Sequence, residues 1–266
     1  MADLLHKEIT GAIIGAYYEV YNHTARMYPE YIYERAVVEE LRQQGYSTTR
    51  QDEYKIFYKE RLVGLQRLDL VVVHEVVVEN KAVEKLSALN RAQGLSYLKT
   101  TGKAVGLLLN FGGAEPDFDR LYFDPAKRNP SVEKPAPPEV EASPDWIYPE
   151  LAYAITGALY EVHSTLGPGY VQRIYANACY YELGLQNLAP VPAKRMQVTY
   201  KGTVVGDIAF SHMVIESKIM VFPVAVRDVA SIHLDSLKDW LRTCEIKLGI
   251  IANFDAVRLQ FVFVRV

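Results

Sequence analysis

Asp69, Glu79 and Lys81 are the residues of this sequence best placed to do chemistry. They interrupt an otherwise apolar stretch, RLDLVVVHEVVVENKAV (residues 67–83). Its two Val-Val-Val runs flank His74 and Glu75, which predicts a tight β-hairpin with at least one buried face. Side chains alternate along a strand, so Glu79 and Lys81 share a face. Ionised groups are rarely placed in a buried sheet without a partner or a metal. Two carboxylates brought together repel until a cation neutralises them, and hard oxygen ligands suit magnesium or manganese. A neighbouring ammonium can orient or deprotonate a water, or stabilise charge developing on a phosphate. The plainer alternative is two solvated strand charges and a structural salt bridge. The turn decides. If His74 and Glu75 alone form the loop, Asp69 and Glu79 fall on opposite faces; a three-residue loop or a bulge puts them opposite each other.

The flanking sequence supplies elements to hold such a hairpin. Residues 3–22 place Leu5, Ile9, Ile13, Ala16 and Val20 at helical spacing, and a second helix is predicted over 31–44, stopped by Gly45. Strands are predicted over 48–58 and 62–65, then the hairpin, a helix over 87–99, a buried strand over 105–111 and a short one at 121–123. This is an α/β pattern without the alternation of a doubly wound sheet. From residue 125 to 146 six prolines sit among charged and small residues, or flank them closely, as in a stiff linker.

After that linker the pattern begins again. Glu8, Ile13, Gly15, Ala16, Tyr18, Glu19 and Val20 recur 142 positions later as Glu150, Ile155, Gly157, Ala158, Tyr160, Glu161 and Val162. Tyr28, Ile32, Tyr33, Tyr58, Lys59 and Gly64 return at the same offset as Tyr170, Ile174, Tyr175, Tyr200, Lys201 and Gly206. Past one inserted residue, Gly106, Asn110 and Phe111 match Gly249, Asn253 and Phe254. The chain is a tandem duplication, with domains expected at 1–124 and 147–266. At the constant offset Asp69 corresponds to Ser211, Glu79 to Val221, Lys81 to Pro223 and Glu30 to Gln172, so the second copy is expected to lack the site.

Composition narrows the function classes. At 266 residues, half of them hydrophobic and 23% charged, the chain can build two modest cores. A net charge of −3 and a pI near 6.1 leave no overall basic footprint, so nucleic-acid binding would need a local patch or a bridging metal. Two cysteines, Cys179 and Cys244, exclude a disulfide framework, a Cys-rich zinc site and a four-cysteine cluster within one chain. No signal peptide or bilayer-length apolar run is seen, so a cytoplasmic protein without a membrane partner is expected. The six histidines form no ligand-spaced cluster, and Trp146 and Trp240 are expected to be packing residues.

With both halves in view, the chain resembles the GxxExxY family of small proteins in the PD-(D/E)XK nuclease-like superfamily. The resemblance rests on PEYIYERAVVEEL, FYKERLVGLQRLDLVVV, VVVENKAVEKL, AQGLSYLKTTG and VGLLLNFGG in the first half, and on GPGYVQRIYANACYYEL, VTYKGTVVG and LGIIANF in the second. It implies two tandem restriction-endonuclease-like α/β domains, each a central mixed sheet flanked by helices, forming an intrachain pseudo-dimer. It further implies Asp69, Glu79 and the Asn80 carbonyl as ligands of Mg²⁺ or Mn²⁺. Lys81, Glu30 and Gln93 would be catalytic, and Arg67 and Tyr97 would meet a DNA or RNA substrate. Two departures stand out: Met27 replaces the naming glycine, kept as Gly169 in the second half, and Asn80 replaces the usual apolar residue. The function implied is a metal-dependent nuclease acting through the first domain. The alternative is a catalytically silent nucleic-acid-binding or protein-interaction scaffold that kept the fold.

Overall fold

The computed structural model describes residues 4–124, 147–193, 195–209 and 211–266; the linker expected over 125–146, with Trp146, lies outside them. The described residues fall into two compact units. The first runs to Ile56 and resumes at Leu65; the second takes the hairpin tip, Phe57–Gly64, together with the residues from 147 onward.

In the first unit α1 (Lys7–His23) and α2 (Glu30–Gln43) precede β1 (Thr48–Tyr58), β2 (Arg61–Val72) and β3 (Val76–Lys81). Then come α3 (Ala88–Thr101), β4 (Val105–Asn110) and β5 (Asp117–Tyr122). The strands form one mixed sheet in the order β1-β2-β3-β4-β5, with β3 and β4 parallel and the pairs β2–β3 and β4–β5 antiparallel. The parallel pair is the centre, so the continuous apolar runs of β3 and β4 are buried on both faces. Helix α1 presents Ile13, Ala16, Tyr17, Val20 and Tyr21, and α2 presents Tyr33, Val37 and Leu41, to the face made by Leu70, Val72, Val76, Val78, Leu107 and Leu109. Helix α3 covers the other face: a side chain at Gly94 would meet Leu108 and Leu121, and one at Gly106 would meet Leu98. Strand β5 is longer than its sequence predicts, because Asp117, Asp119 and Arg120 interrupt the apolar signal. It is an edge strand, where such charges are tolerated.

The second unit repeats this plan with α4 (Pro149–Leu166), α5 (Gln172–Leu185), β6 (Val191–Pro192), β7 (Arg195–Tyr200), β8 (Thr203–Ala209) and β9 (Met213–Ile215). It ends with β10 (Ile219–Val224), α6 (Leu234–Thr243), β11 (Leu248–Asn253) and β12 (Gln260–Arg265). Its sheet runs β12-β11-β10-β9-β6, while β7 and β8 pair apart. The tip Phe57–Gly64 is anchored here on α5. Buried Glu182 accepts from the Tyr58 hydroxyl at 2.7 Å and the Lys59 ammonium at 2.6 Å, and the Asn177 amide donates to the Val63 carbonyl at 2.8 Å.

Strand register revises the correspondence between the copies. Val72 faces Val76 across the first hairpin and Ile215 faces Ile219 across the second; Val77 pairs with Gly106 and Met220 with Gly249. The Asn110 side chain accepts from the Val83 N–H, and the Asn253 side chain from the Val226 N–H, each at 3.0 Å. All of these matches are 143 apart, so the inserted residue precedes Ile215 instead of following the hairpin. The structural counterparts of Asp69, Glu79 and Lys81 are therefore His212, Phe222 and Val224, not Ser211, Val221 and Pro223.

Candidate active site

The geometry begins at the turn. Val73, His74 and Glu75 form a three-residue loop, with Val73 and His74 in left-handed backbone (φ 53° and 57°) and the Glu75 N–H donating to the Val72 carbonyl at 3.0 Å. Neither residue is the glycine or asparagine such a turn favours, so the turn is held from outside. The Val73 N–H donates to the Ser47 carbonyl at 2.9 Å, and the Lys103 ammonium donates to the His74 carbonyl. The odd loop length brings Asp69 and Glu79 to the same face. The β2–β3 pairing stops at Leu70–Val78, one residue short of them. The strands part at the acids.

Glu79 and Lys81 stand on the face that α3 covers. Lys81 Nζ lies 2.7 Å from Glu79 Oε1, with 14% and 9% of the two side chains exposed. The Asn80 N–H donates to the Asp69 carboxylate. Glu30, the first residue of α2, accepts from the Ala82 N–H at 3.2 Å, immediately beyond Lys81. Burial pushes Glu79 up to about 7, against the pull of Lys81 and with Asp69 and Glu30 adding to it. Burial also raises Asp69; Lys81 opposes that and Glu34 reinforces it. Burial alone would lower Lys81, but Glu79, Glu30 and Asp69 outweigh it, so its ammonium stays protonated.

Glu34 was not evident in the sequence. It is buried one turn beyond Glu30, 2.5 Å from Arg50 Nε, and Gln51 bridges it to Asp69 with contacts of 3.0 and 3.5 Å. Gln51 does so from left-handed backbone (φ 52°) within β1. The available signal was spacing: a glutamate four residues after Glu30, flanked by core positions Tyr33 and Val37, lies on the same helix face.

The other expected site residues have plainer surroundings. Arg67 shares the face of Asp69, two residues before it, and is engaged at 2.9 Å with Glu53, both well exposed. Gln93 and Tyr97 are one turn apart on α3, half-buried and buried. The Asn80 side chain is fully buried on the opposite face, and both its polar atoms lack a partner among the described residues. Tyr33 is a structural clamp: it stacks on Phe111 at 4.5 Å, accepts from the Tyr28 N–H and donates to the Ala25 carbonyl. Tyr175 does the same with Phe254, Tyr170 and Gly167.

Among the described residues no three His, Cys, Asp or Glu side chains are gathered closely enough to hold a metal ion. The donor chemistry still fits a hard divalent cation: carboxylates raised by burial, on one face, where two strands diverge. No described helix is long and apolar enough to cross a membrane. No curated protein and no solved structure matches the chain. A family model does match both halves, over residues 7–121 and 149–266, and with the two mixed sheets flanked by helices it settles the kinship: this chain belongs to the PD-(D/E)XK nuclease superfamily.

Proposed function

We propose that the first domain is a metal-dependent nuclease of the GxxExxY type, hydrolysing phosphodiester bonds in nucleic acid. The observation that carries this is the three-residue turn, which puts Asp69 and Glu79 on one face, with Lys81 paired to Glu79. Asp69, Glu79 and the Asn80 carbonyl would hold Mg²⁺ or Mn²⁺, which when bound polarises a phosphoryl oxygen and lowers the pKa of a coordinated water. Glu30 would complete or water-bridge the shell. Lys81, kept protonated by the surrounding acids, orients the attacking water and offsets charge developing on the phosphate. Gln93 and Tyr97 line the α3 side, and Arg67 meets a neighbouring phosphate once it leaves Glu53. Domains at 1–124 and 147–266, the latter silent in catalysis, forming an internal pseudo-dimer are part of this proposal.

Calorimetric titration with Mn²⁺ tests the reading. One ion per chain is expected, lost in Glu79→Gln, together with Mn²⁺-dependent cleavage of single- or double-stranded DNA or RNA. A second reading, a silent scaffold, is favoured by the direct Lys81–Glu79 ion pair and the dispersed carboxylates. Absence of Mn²⁺ binding would select it.

A further inference from the structure

The second unit contains a cavity of about 380 Å³ lined by Gln172, His212, Phe222, Val224, Ser236 and Trp240, among others. By the register above, His212, Phe222 and Val224 are the counterparts of Asp69, Glu79 and Lys81. The pairing of Gly249 with Leu241, as of Gly106 with Leu98, makes Ser236 and Trp240 the counterparts of Gln93 and Tyr97. Gln172 stands where Glu30 does. The cavity therefore lies where the first unit carries its charged centre, with every charge replaced.

The replacements share a chemistry. Three are aromatic rings: His212 lies 5.2 Å from Phe222 and 6.0 Å from Trp240, centroid to centroid. The Trp240 N–H points at His212 Nε2, 3.5 Å away, and burial depresses the imidazole to about 4, so it is neutral near pH 7. Among the described residues no carboxylate or ammonium lines the cavity. Phe222, Val224, Leu237 and Trp240 are only half-buried, whereas Met220 and Leu241 beneath them are sealed. Partly wetted aromatic walls with a few polar groups at the mouth, here exposed Gln172 and Ser236, describe a ligand site better than a core. The volume sits at the low end of the ~300–1,000 Å³ of small-molecule sites, room for one ring system.

We propose that this cavity binds a neutral, planar heteroaromatic ring, a purine or pyrimidine base. Aromatic faces supply stacking, and the amide of Gln172 and the hydroxyl of Ser236 can read a base edge from the rim. The neutral lining discriminates against a phosphate or a metal ion, the ligands expected at the first site. The base can come from a free nucleoside or from a nucleic-acid strand; only the strand source rests on the nuclease proposal.

The test is fluorescence titration of full-length Trp146→Phe protein, in which Trp240 is the only tryptophan, with EDTA present to keep the first site out of the measurement. Probes are the four common ribonucleosides, a short single-stranded oligonucleotide and an abasic phosphodiester of equal length. Saturable quenching by nucleosides or by the oligonucleotide, but not by the abasic strand, is expected, and which of the two binds more tightly identifies the source. Ser236→Phe, which fills the mouth from an exposed helix position, should weaken binding by on the order of tenfold or more. Gln172→Leu should flatten the preference among bases while leaving quenching in place. The quenching is read in EDTA without the first site, so failure of the Mn²⁺ titration and failure here are separable. Quenching by no base-bearing probe, equal quenching by the abasic strand, or binding indifferent to both Ser236→Phe and Gln172→Leu would overturn the proposal.

Discussion

Replacing Glu79 with Gln should make the metal-free protein more stable relative to wild type as pH rises. Burial lifts the Glu79 carboxyl from an ordinary 4.5 to about 7. The unfolded chain therefore releases its proton earlier than the folded one. Stability tied to the protonated form is complete below 4.5 and is lost as pH climbs through 7. At ~1.4 kcal/mol per pH unit the gap is worth about 3 kcal/mol, of which roughly 2 kcal/mol is lost between pH 5 and 8. Glutamine keeps the volume and cannot ionise, so its variant escapes that loss. The missing partner of Lys81 is a separate, destabilising effect, read as the offset of the curve at its acid end, and the rise above it is the Glu79 titration. Urea unfolding of both proteins in EDTA, at half-unit steps from pH 5 to 8, gives the difference curve. A curve rising with pH by roughly 2 kcal/mol is expected. Saturating Mn²⁺ should flatten it by holding the wild-type carboxylate ionised. A curve independent of pH, or falling, would refute the account of Glu79 as a buried and under-compensated acid.

Four further substitutions probe the supports of the site and the matching clamp of the second unit. Tyr33→Phe keeps the stack on Phe111 but orphans the Tyr28 N–H and the Ala25 carbonyl, and should cost about 1–3 kcal/mol in denaturant unfolding. Tyr175→Phe should cost a similar amount, because its bonds are the same. Asn80→Leu removes two buried polar atoms without partners and should raise stability by ~1–3 kcal/mol, while Mn²⁺ affinity, which would use the backbone carbonyl, stays unchanged. Gly112→Ala would put a methyl 2.6 Å from the Ala82 and Val83 backbone just past Lys81; a loss of more than ~2 kcal/mol in unfolding free energy is expected.

The elements were legible where the hydrophobic period was strong. Helices α1 and α2 and strands β1, β3 and β4 lie within a few residues of their predicted ranges: the helices carry an apolar stripe, β3 and β4 an apolar run, and β1 the alternation of Tyr54, Ile56 and Tyr58. The turn was legible only as a choice between two parities. Nothing local favours left-handed backbone at Val73 and His74; the bonds from Ser47 and Lys103 impose it, and those contacts are distant in sequence. Glu34 was hidden because one helical glutamate looks like another until Arg50 and Gln51 are placed beside it. The position of the inserted residue was hidden for a related reason. Identical residues anchor the repeat at Gly64 and Gly106, while the identities beside the site at the new offset (Val78 and Val221, Ala82 and Ala225, Val83 and Val226) are single small apolar residues that do not stand out from the valine-rich background; strand pairing locates the shift.

That corrected register also explains why the second copy shares none of the charges. In the first unit each buried charge is tolerable because of the others: Lys81 offsets Glu79, Arg50 offsets Glu34, and Gln51 links Glu34 to Asp69. Removing one partner of such a set leaves an uncompensated charge under α3, which costs about 3–5 kcal/mol for a buried pair. That is a large part of the stability of a domain this size. Intermediates keeping Glu79 without Lys81, or Asp69 without its neighbours, would be the least stable of the series. An apolar or neutral set is stable again. In the second unit the opposing pair has become His212 and Phe222, ring against ring, Lys81 has become valine, and the position of Glu34 is held by buried Ala176. The structural positions survive unchanged: Tyr175 still clamps its loop, Asn253 still holds Val226, and the hairpin still turns through left-handed residues at Glu216 and Ser217. In this chain the clamp, the asparagine and the left-handed turn are common to both copies, whereas every member of the charged centre differs between them.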